Sequence, residues 1–173
     1  MFTPLASAFA LVRCLVCLAL FLTTASAIDK VNIVAQVRAA GKAVDTSGGR
    51  AETQKRFIEI EIANRTREAL TGLTVKWTLF GSDLKDDDTV IAESGNAKVN
   101  LAPGRAEKIE SQEVTFHYSR EGFKKTKGKK KRPGKLKRLP ASGTRYAGWA
   151  VRVYQGRSLI GEAYSLPELK EAL

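Results

Sequence analysis

The feature that most constrains this chain is a two-residue alternation of apolar and polar side chains that recurs from Lys30 onward. It is clearest where Ile58, Ile60 and Ile62 alternate with glutamates. Such alternation is typical of strands with one buried face, because successive side chains of a strand point to opposite faces. Charged residues on the second face argue against a parallel sheet buried on both sides. The chain should therefore form antiparallel sheet.

Turn signals separate the alternating runs. They are Asn64–Glu68, Ser94–Asn96, Ala102–Gly104 and Gln155–Arg157. Further strand candidates lie at 31–38, 73–79, 90–93, 97–101, 106–118, 145–154 and 158–164. Seven or eight short strands without an intervening helical pattern predict an all-β fold, an antiparallel immunoglobulin-like β-sandwich. Within 106–118 the apolar phase slips from odd to even numbers, which predicts a bulge near Ser111-Gln112.

One helix signal stands at the end of the chain. Ser165-Leu-Pro-Glu168 has the form of a capping box with proline in the first turn, and Leu166, Leu169 and Leu173 would make one apolar stripe. We expect a short C-terminal helix that closes an open end or edge of the sandwich.

Three segments carry a resemblance to a known family. They are Phe57-Ile-Glu-Ile-Glu-Ile-Ala-Asn64, Leu73-Thr-Val-Lys-Trp-Thr-Leu-Phe80 and Asn100-Leu-Ala-Pro-Gly104. Together they resemble small extracytoplasmic immunoglobulin-like domains of the FxLYD type, with Trp77-Thr-Leu-Phe80 in the place of the aromatic-x-Leu-aromatic core. Gly81 follows where that family usually carries Asp. The resemblance covers residues 57 to 118 and implies a fold and an extracytoplasmic setting, with no catalytic residues to carry over.

The N-terminus has the pattern of an export signal. A single positive charge, Arg13, precedes the apolar block Cys14–Leu22, and small residues at Ala25 and Ala27 fit the A-x-A pattern of a cleavage site. We therefore expect residues 1–27 to be a signal peptide and residues 28–173 to form a single domain that is periplasmic or secreted. An uncleaved N-terminal membrane anchor is the alternative, because the stretch before Arg13 is also apolar. Both cysteines lie in the signal, so the mature chain would have no thiol.

The net charge of +11 is concentrated in one segment. The stretch Arg120–Arg138 holds eleven basic residues and one acid, Glu121, whereas basic and acidic residues balance in the rest of the mature chain. Like charges at this density repel each other, so we expect a disordered basic loop at about 119–142. Its candidate polyanion-binding residues are Lys124, Lys125, Lys127, Lys129, Lys130, Lys131, Arg132, Lys135, Lys137 and Arg138.

The basic segment suggests a partner that carries many negative charges, such as an anionic polymer or a lipid surface, held through release of counterions. Phe123 is its only aromatic residue, so it lacks a stacking platform for single strands, and no folded element is predicted that could enter a groove. We expect no sequence-specific nucleic acid binding. Alternatively, the charge serves only solubility or resistance to strand-edge pairing.

Other polar features favour structural roles. Asp83, Asp86, Asp87 and Asp88 could offer oxygens to calcium, but their order does not match an EF-hand loop and favours a hydrophilic turn. His117 should lie outward, Trp77 and Trp149 inward, and Asn64-Arg-Thr66 is a formal glycosylation acceptor.

The sequence shows no arrangement typical of a catalytic site, so we do not expect an enzyme, a cofactor, a metal site or a small-molecule substrate. The predicted function is an exported non-catalytic interaction or structural domain whose partner is an unknown protein or envelope component. The alternative is a polyanion- or envelope-binding module that acts through the loop at 120–138.

Overall fold

The computed structural model describes residues 30–40, 44–46, 51–125 and 136–172, and within them the chain is almost entirely antiparallel sheet. The strands are β1 (Val31–Ala39), β2 (Val44–Thr46), β3 (Ala51–Asn64), β4 (Leu70–Asp83), β5 (Thr89–Leu101), β6 (Ala106–Glu110), β7 (Val114–Ser119), β8 (Gly122–Lys125), β9 (Leu136–Leu139), β10 (Ser142–Gln155) and β11 (Ser158–Tyr164). The predicted all-β, antiparallel character is confirmed. The predicted signal peptide at 1–27 lies outside the described residues.

Strand β3 is the centre of one group of strands. It pairs with β1 and β2 on one side and with β6 and β7 on the other. Glu59 pairs with Glu110 and Arg56 pairs with Val114, so three steps along β3 correspond to four along the partner. The extra residue falls at 111–113, where the backbone N–H of Ile58 donates to Ser111 Oγ at 3.0 Å. The bulge predicted near Ser111-Gln112 is present.

Strand β10 joins that group to a second one. It pairs with β4 along most of its length, and β4 pairs with β5. On its other side β10 pairs first with β7 and later with β11. Gly143 pairs with Tyr118 at a φ of +90°, and a Cβ there would collide with the carbonyl oxygen of His117. Only glycine allows the two strands to meet at this point.

The core contains residues from both groups. Ile58, Ile60 and Ile62 of β3 are fully buried, and they share one apolar cluster with buried residues of β4 and β10. The inward phase predicted from the alternation is confirmed for these residues. Trp77 is buried and Trp149 is half-buried against the same cluster, as predicted.

The C-terminal helix prediction requires a correction. The structure has a four-residue 3-10 turn, Pro167–Lys170, preceded by Leu166, whose backbone is extended. Ser165 does not cap it: Ser165 Oγ instead accepts a hydrogen bond from the backbone N–H of Trp149 at 2.8 Å. Leu169 is buried on Phe80 and Ala150 in a second, smaller cluster, whereas Leu166 is exposed. Ser165 is hydrogen-bonded to Trp149 of β10, and this distant contact, which local sequence does not reveal, takes the place of the predicted cap.

No helix in the described ranges has the length and apolar character to span a bilayer.

Candidate functional site: a basic β-ribbon

The candidate polyanion-binding residues fall into two sets in the structure. Lys124 and Lys125 lie in β8, and Lys137 and Arg138 lie in β9, which pairs with β8. The remaining candidates, Lys127, Lys129, Lys130, Lys131, Arg132 and Lys135, lie outside the described residues. The loop was predicted to be disordered over about 119–142, but within it residues 122–125 and 136–139 form two paired antiparallel strands. We call these eight residues the basic ribbon.

The basic ribbon continues the pairing of β7 with β10. Ser119 pairs with Ser142, and three residues further along each strand Gly122 pairs with Leu139, so the register is unchanged. Between these pairs the register places Pro140 opposite Glu121. Proline has no backbone N–H to donate to a ladder, which accounts for the short interruption. The ribbon is therefore an extension of two core strands.

The register assigns the ribbon's side chains to two faces, because directly opposite residues of an antiparallel pair share a face. Lys124 is directly opposite Lys137, and both are exposed. The opposite face carries the Phe123–Arg138 pair and Leu136, whose backbone pairs with that of Lys125. Like charges placed directly opposite are destabilising. An anion lying across Lys124 and Lys137 would relieve that repulsion.

Arg138 differs from the lysines in having a strong partner. Its Nε and a terminal nitrogen donate to the two carboxylate oxygens of Glu121, at 2.6 and 2.8 Å. This bidentate pair lowers the pKa of Glu121 and raises that of Arg138. The single acid of the basic segment is thus used to hold one predicted anion-binding residue.

The base of the ribbon is held by a chain of polar side chains. Arg120 forms an ion pair with Glu52 of β3, and the Tyr118 hydroxyl donates to the same carboxylate. Gln54 Nε2 donates to the Tyr118 hydroxyl oxygen at 2.8 Å. Because the hydrogen bond to Glu52 stabilises the protonated phenol, the pKa of Tyr118 is raised. These contacts tie the strand entering the ribbon to β3.

The same chain of side chains continues along the inward phase of β3. A terminal nitrogen of Arg56 donates to Gln54 Oε1 at 3.3 Å, and its guanidinium lies 5.9 Å from the ring centre of Tyr146. Burial raises the pKa of Tyr146. Sequence reasoning missed this network, although the signal was present. Glu52, Gln54 and Arg56 have the even numbering of the buried isoleucines that follow.

Two exposed apolar side chains complete the ribbon. Phe123 is 67% exposed and Leu136 is 70% exposed, the highest values among the large hydrophobic residues in the described part of the chain. The sequence analysis noted Phe123 only as the single aromatic residue of the basic segment. The shared face of the two side chains became apparent only from the pairing register.

The acidic turn after β4 is held by hydrogen bonds to backbone groups. Asp83 Oδ1 accepts from the backbone N–H of Lys85 at 2.8 Å, and Asp87 adopts a φ of +60°. The backbone N–H of Leu84 donates to the carbonyl of Gly143, so the turn lies beside the start of β10. Among the described residues, no group of acidic, histidine or cysteine side chains has the arrangement of a metal site.

Asn64 has a structural role in its turn. It is 3% exposed, and its Nδ2 donates to the carbonyls of Glu68, Leu101 and Ala102 at 2.7 to 3.3 Å. Its Oδ1 accepts from the backbone N–H and the hydroxyl of Thr66. The threonine of the formal glycosylation motif thus serves the turn, and the asparagine is not accessible to modification in the folded chain.

The described surface also has shallow hollows on the outward face of β4 and β10. One of about 180 Å³ is lined by Lys76, Thr78, Ala150, Arg152 and Tyr154. Arg152 Nε donates to the Tyr164 hydroxyl at 3.1 Å, and that hydroxyl donates to Glu162. These groups tie β10 to β11.

His117 is exposed, as predicted, and its Nδ1 lies 3.0 Å from Thr53 Oγ1.

Comparison with known proteins gives no family. No family model and no curated protein matches this chain. A Northeast Structural Genomics Consortium target solved by X-ray crystallography is 12% identical over 81% of this chain and 89% of its own, with a TM-score of 0.37. A beta-D-glucoside glucohydrolase from Trichoderma reesei is 13% identical over 79% of this chain but only 18% of its own, with a TM-score of 0.34. Likenesses this weak carry no argument, and the resemblance to the FxLYD type stays a prediction.

Proposed function

We propose that this protein is an exported, non-catalytic domain that binds an anionic polymer or surface through its basic ribbon. The observation that carries the proposal is the exposed pair Lys124 and Lys137, held directly opposite each other on one ribbon face. Two like charges in that position cost stability in the absence of an anion, and bound anionic groups turn the cost into a gain in affinity. By sequence, six further cations lie between the two strands.

The proposed scaffold is an immunoglobulin-like β-sandwich, with the β3 group and the β4–β10 group as its two layers. The shared apolar cluster of Ile58, Val75 and Val151 supports this arrangement. A rigid scaffold favours binding, because a ribbon continuous with two core strands loses less conformational entropy than a free loop when it meets a partner.

The binding mechanism is release of counterions. Each lysine or arginine that meets a phosphate-like group displaces condensed ions, so affinity falls with salt. If about six side chains make such contacts, binding to a highly charged polyanion weakens about a thousand-fold between about 50 and 200 mM salt. Because Arg138 is paired with Glu121, we expect it to contribute less to anion binding than the lysines do.

The absence of catalysis is part of the proposal. In the described ranges His117 pairs with the Thr53 hydroxyl at the exposed surface, and no carboxylate orients its imidazole as a catalytic triad would require. We therefore expect the partner, and not a small-molecule substrate or cofactor, to define the function.

Retention on immobilised polyphosphate, eluted with a salt gradient, tests the proposed function. The double variant Lys124→Gln/Lys137→Gln should elute at lower salt, and the slope of log affinity against log salt should decrease by about two. The matched control is Lys30→Gln/Lys98→Gln, which removes the same charge from exposed positions outside the ribbon. If the native protein is not retained at low salt, or if both double variants lose equal retention, the ribbon is not an anion-binding site.

A further inference from the structure

We propose that the anionic surface recognised by the basic ribbon is a lipid bilayer, and that Phe123 and Leu136 enter its apolar boundary. This inference rests on the proposed function, because it names the partner of the same site.

The ribbon displays apolar surface where charge alone would serve a soluble polyanion. Phe123 and Leu136 are 67% and 70% exposed. They lie on one face and in adjacent pairs, Phe123 opposite Arg138 and Leu136 opposite Lys125, so they are diagonal neighbours across the two strands. Diagonal neighbours are within reach of aromatic and long side chains. The two side chains thus form one small apolar patch.

Charge complementarity decides the occupant of this patch. The surrounding segment, Arg120–Arg138, has eleven cations and one acid. A second copy of this chain would bring the same positive charge and be repelled. A soluble anionic polymer offers charge but no apolar phase to receive a leucine. An anionic bilayer offers both, since its headgroups attract cations and its acyl boundary receives apolar side chains.

The lysines on the reverse face are compatible with this contact. Lys124 and Lys137 project from the other side of a ribbon that is only two strands wide. Their long aliphatic stems allow the ammonium groups to reach the headgroup level while the apolar pair lies deeper. Phe123 and Leu136 are each one residue from these lysines in the chain, so insertion brings the lysines close to the headgroups.

Co-sedimentation with vesicles tests the inference, with the N-terminus of the purified protein determined by mass spectrometry. The protein should bind vesicles of equimolar phosphatidylglycerol and phosphatidylcholine, and not vesicles of phosphatidylcholine alone. The double variant Phe123→Ser/Leu136→Ser should bind the anionic vesicles on the order of tenfold more weakly or worse, because the lost apolar transfer is large. Its retention on polyphosphate should be unchanged.

The matched control is Ile91→Ser/Leu159→Ser, which removes exposed apolar side chains of β5 and β11, 59% and 43% exposed, and should bind anionic vesicles as the native protein does. A direct readout is Phe123→Trp. Its tryptophan emission, after subtraction of the native spectrum, should shift to shorter wavelengths with anionic vesicles and stay unshifted with polyphosphate.

The outcomes separate the two proposals. The bilayer inference would be overturned, and the proposed function left in place, if the protein is retained on polyphosphate and Phe123→Ser/Leu136→Ser binds anionic vesicles as tightly as the native protein does. Retention on polyphosphate with no vesicle binding would do the same. Absence of both kinds of binding would overturn both proposals.

Discussion

At the scale of single residues, Asn64 shows how one buried amide organises a turn. Its Nδ2 serves three carbonyls and its Oδ1 serves Thr66, in a setting where unpaired polar groups are costly. The side chain links the end of β3 to the end of β5, since the carbonyl of Leu101 accepts one of the hydrogen bonds from Asn64 Nδ2. The turn signal in the sequence was correct, but the reason for it is a contact 37 residues away.

Replacement of Asn64 by Ala should lower the free energy of unfolding by about 2 kcal/mol or more, because the buried carbonyl of Leu101 and two partly buried carbonyls lose their donor. Thermal unfolding followed by circular dichroism measures the effect. Asn96→Ala, at an exposed position, is the control and should change stability by less than about 0.5 kcal/mol. Equal stability of the two variants would contradict the proposed role of Asn64.

Tyr118 is the residue whose titration reports on the base of the ribbon. Its pKa is raised above the ordinary value of 10.0, first by the hydrogen bond to Glu52. A group with a raised folded-state pKa contributes stability that is fully present below its unfolded pKa and is lost as the pH rises through the folded pKa. Native stability should therefore fall above about pH 10.

The variant Tyr118→Phe should lose less stability than the native protein over that alkaline range, measured by denaturant unfolding at several pH values. Glu52→Gln tests the cause, because it removes the charged acceptor and should return the pKa of Tyr118 toward its ordinary value in a spectrophotometric titration. Identical alkaline titration curves for the native and Glu52→Gln proteins would show that the hydrogen bond is not the cause.

At the scale of elements, the C-terminal 3-10 turn covers part of the outward face of the β4–β10 pair. Gly148 permits this, since a Cβ there would collide with Leu169 and Ser165. Lys170 and Glu162 form an ion pair that attaches the turn to β11. This pair and the Tyr164 hydroxyl lower the pKa of Glu162, so its contribution to stability is lost as the pH falls through that pKa.

Leu169→Ala should lower the free energy of unfolding by about 2 kcal/mol, because it leaves a cavity over Phe80 and Ala150. Leu166→Ala is the control from the same turn. Leu166 is 41% exposed, so its truncation should have little effect. Chemical denaturation at neutral pH compares them, and a loss as large for Leu166→Ala would refute the packing argument.

The pair formed by Glu121 and Arg138 should limit how strongly the basic ribbon binds anions. Glu121→Gln removes the only acid of the basic segment and releases Arg138, so affinity for anionic vesicles should rise on the order of a few-fold. The matched control is Glu113→Gln, whose carboxylate lies 3.9 Å from Lys55 in the body of the fold. A reduced affinity of Glu121→Gln would mean that the Arg138 pair holds the ribbon in its binding geometry.

At the scale of the whole molecule, the charge distribution separates scaffold from site. Basic and acidic residues balance in the predicted mature chain outside Arg120–Arg138, so the field of the protein is concentrated at the ribbon. We expect a neutral body with one cationic segment to turn that segment toward a negative surface. The same asymmetry explains why salt should weaken binding without a matching loss of stability.

The predicted export would determine where the protein meets such a surface. Expressed in an exporting host, the chain should be recovered outside the cytoplasm with Ile28 as its first residue, because Ala25 and Ala27 fit the cleavage pattern. Intact-mass and N-terminal measurements check this. A product that retains Met1 and sediments with membranes would favour the alternative of an N-terminal anchor.

The sequence by itself determined the position of the strands that have a clear two-residue alternation and which of their side chains lie inward, as Ile58, Ile60 and Ile62 show. These properties follow from a two-residue period and need no knowledge of the partner strand. The concentration of charge between Arg120 and Arg138 is likewise a property of the chain alone. The phase slip near Ser111 was sufficient to locate the bulge.

The tertiary structure decided what depends on pairing. Gln54 and Tyr118 are 64 residues apart, and only the register of β3 with β7 brings their side chains together. The shared face of Phe123 and Leu136 likewise exists only because β8 and β9 keep the register of the core strands. Alternation fixes a side chain's face within one strand, but topology fixes its neighbours across strands. The candidate site is made of such neighbours.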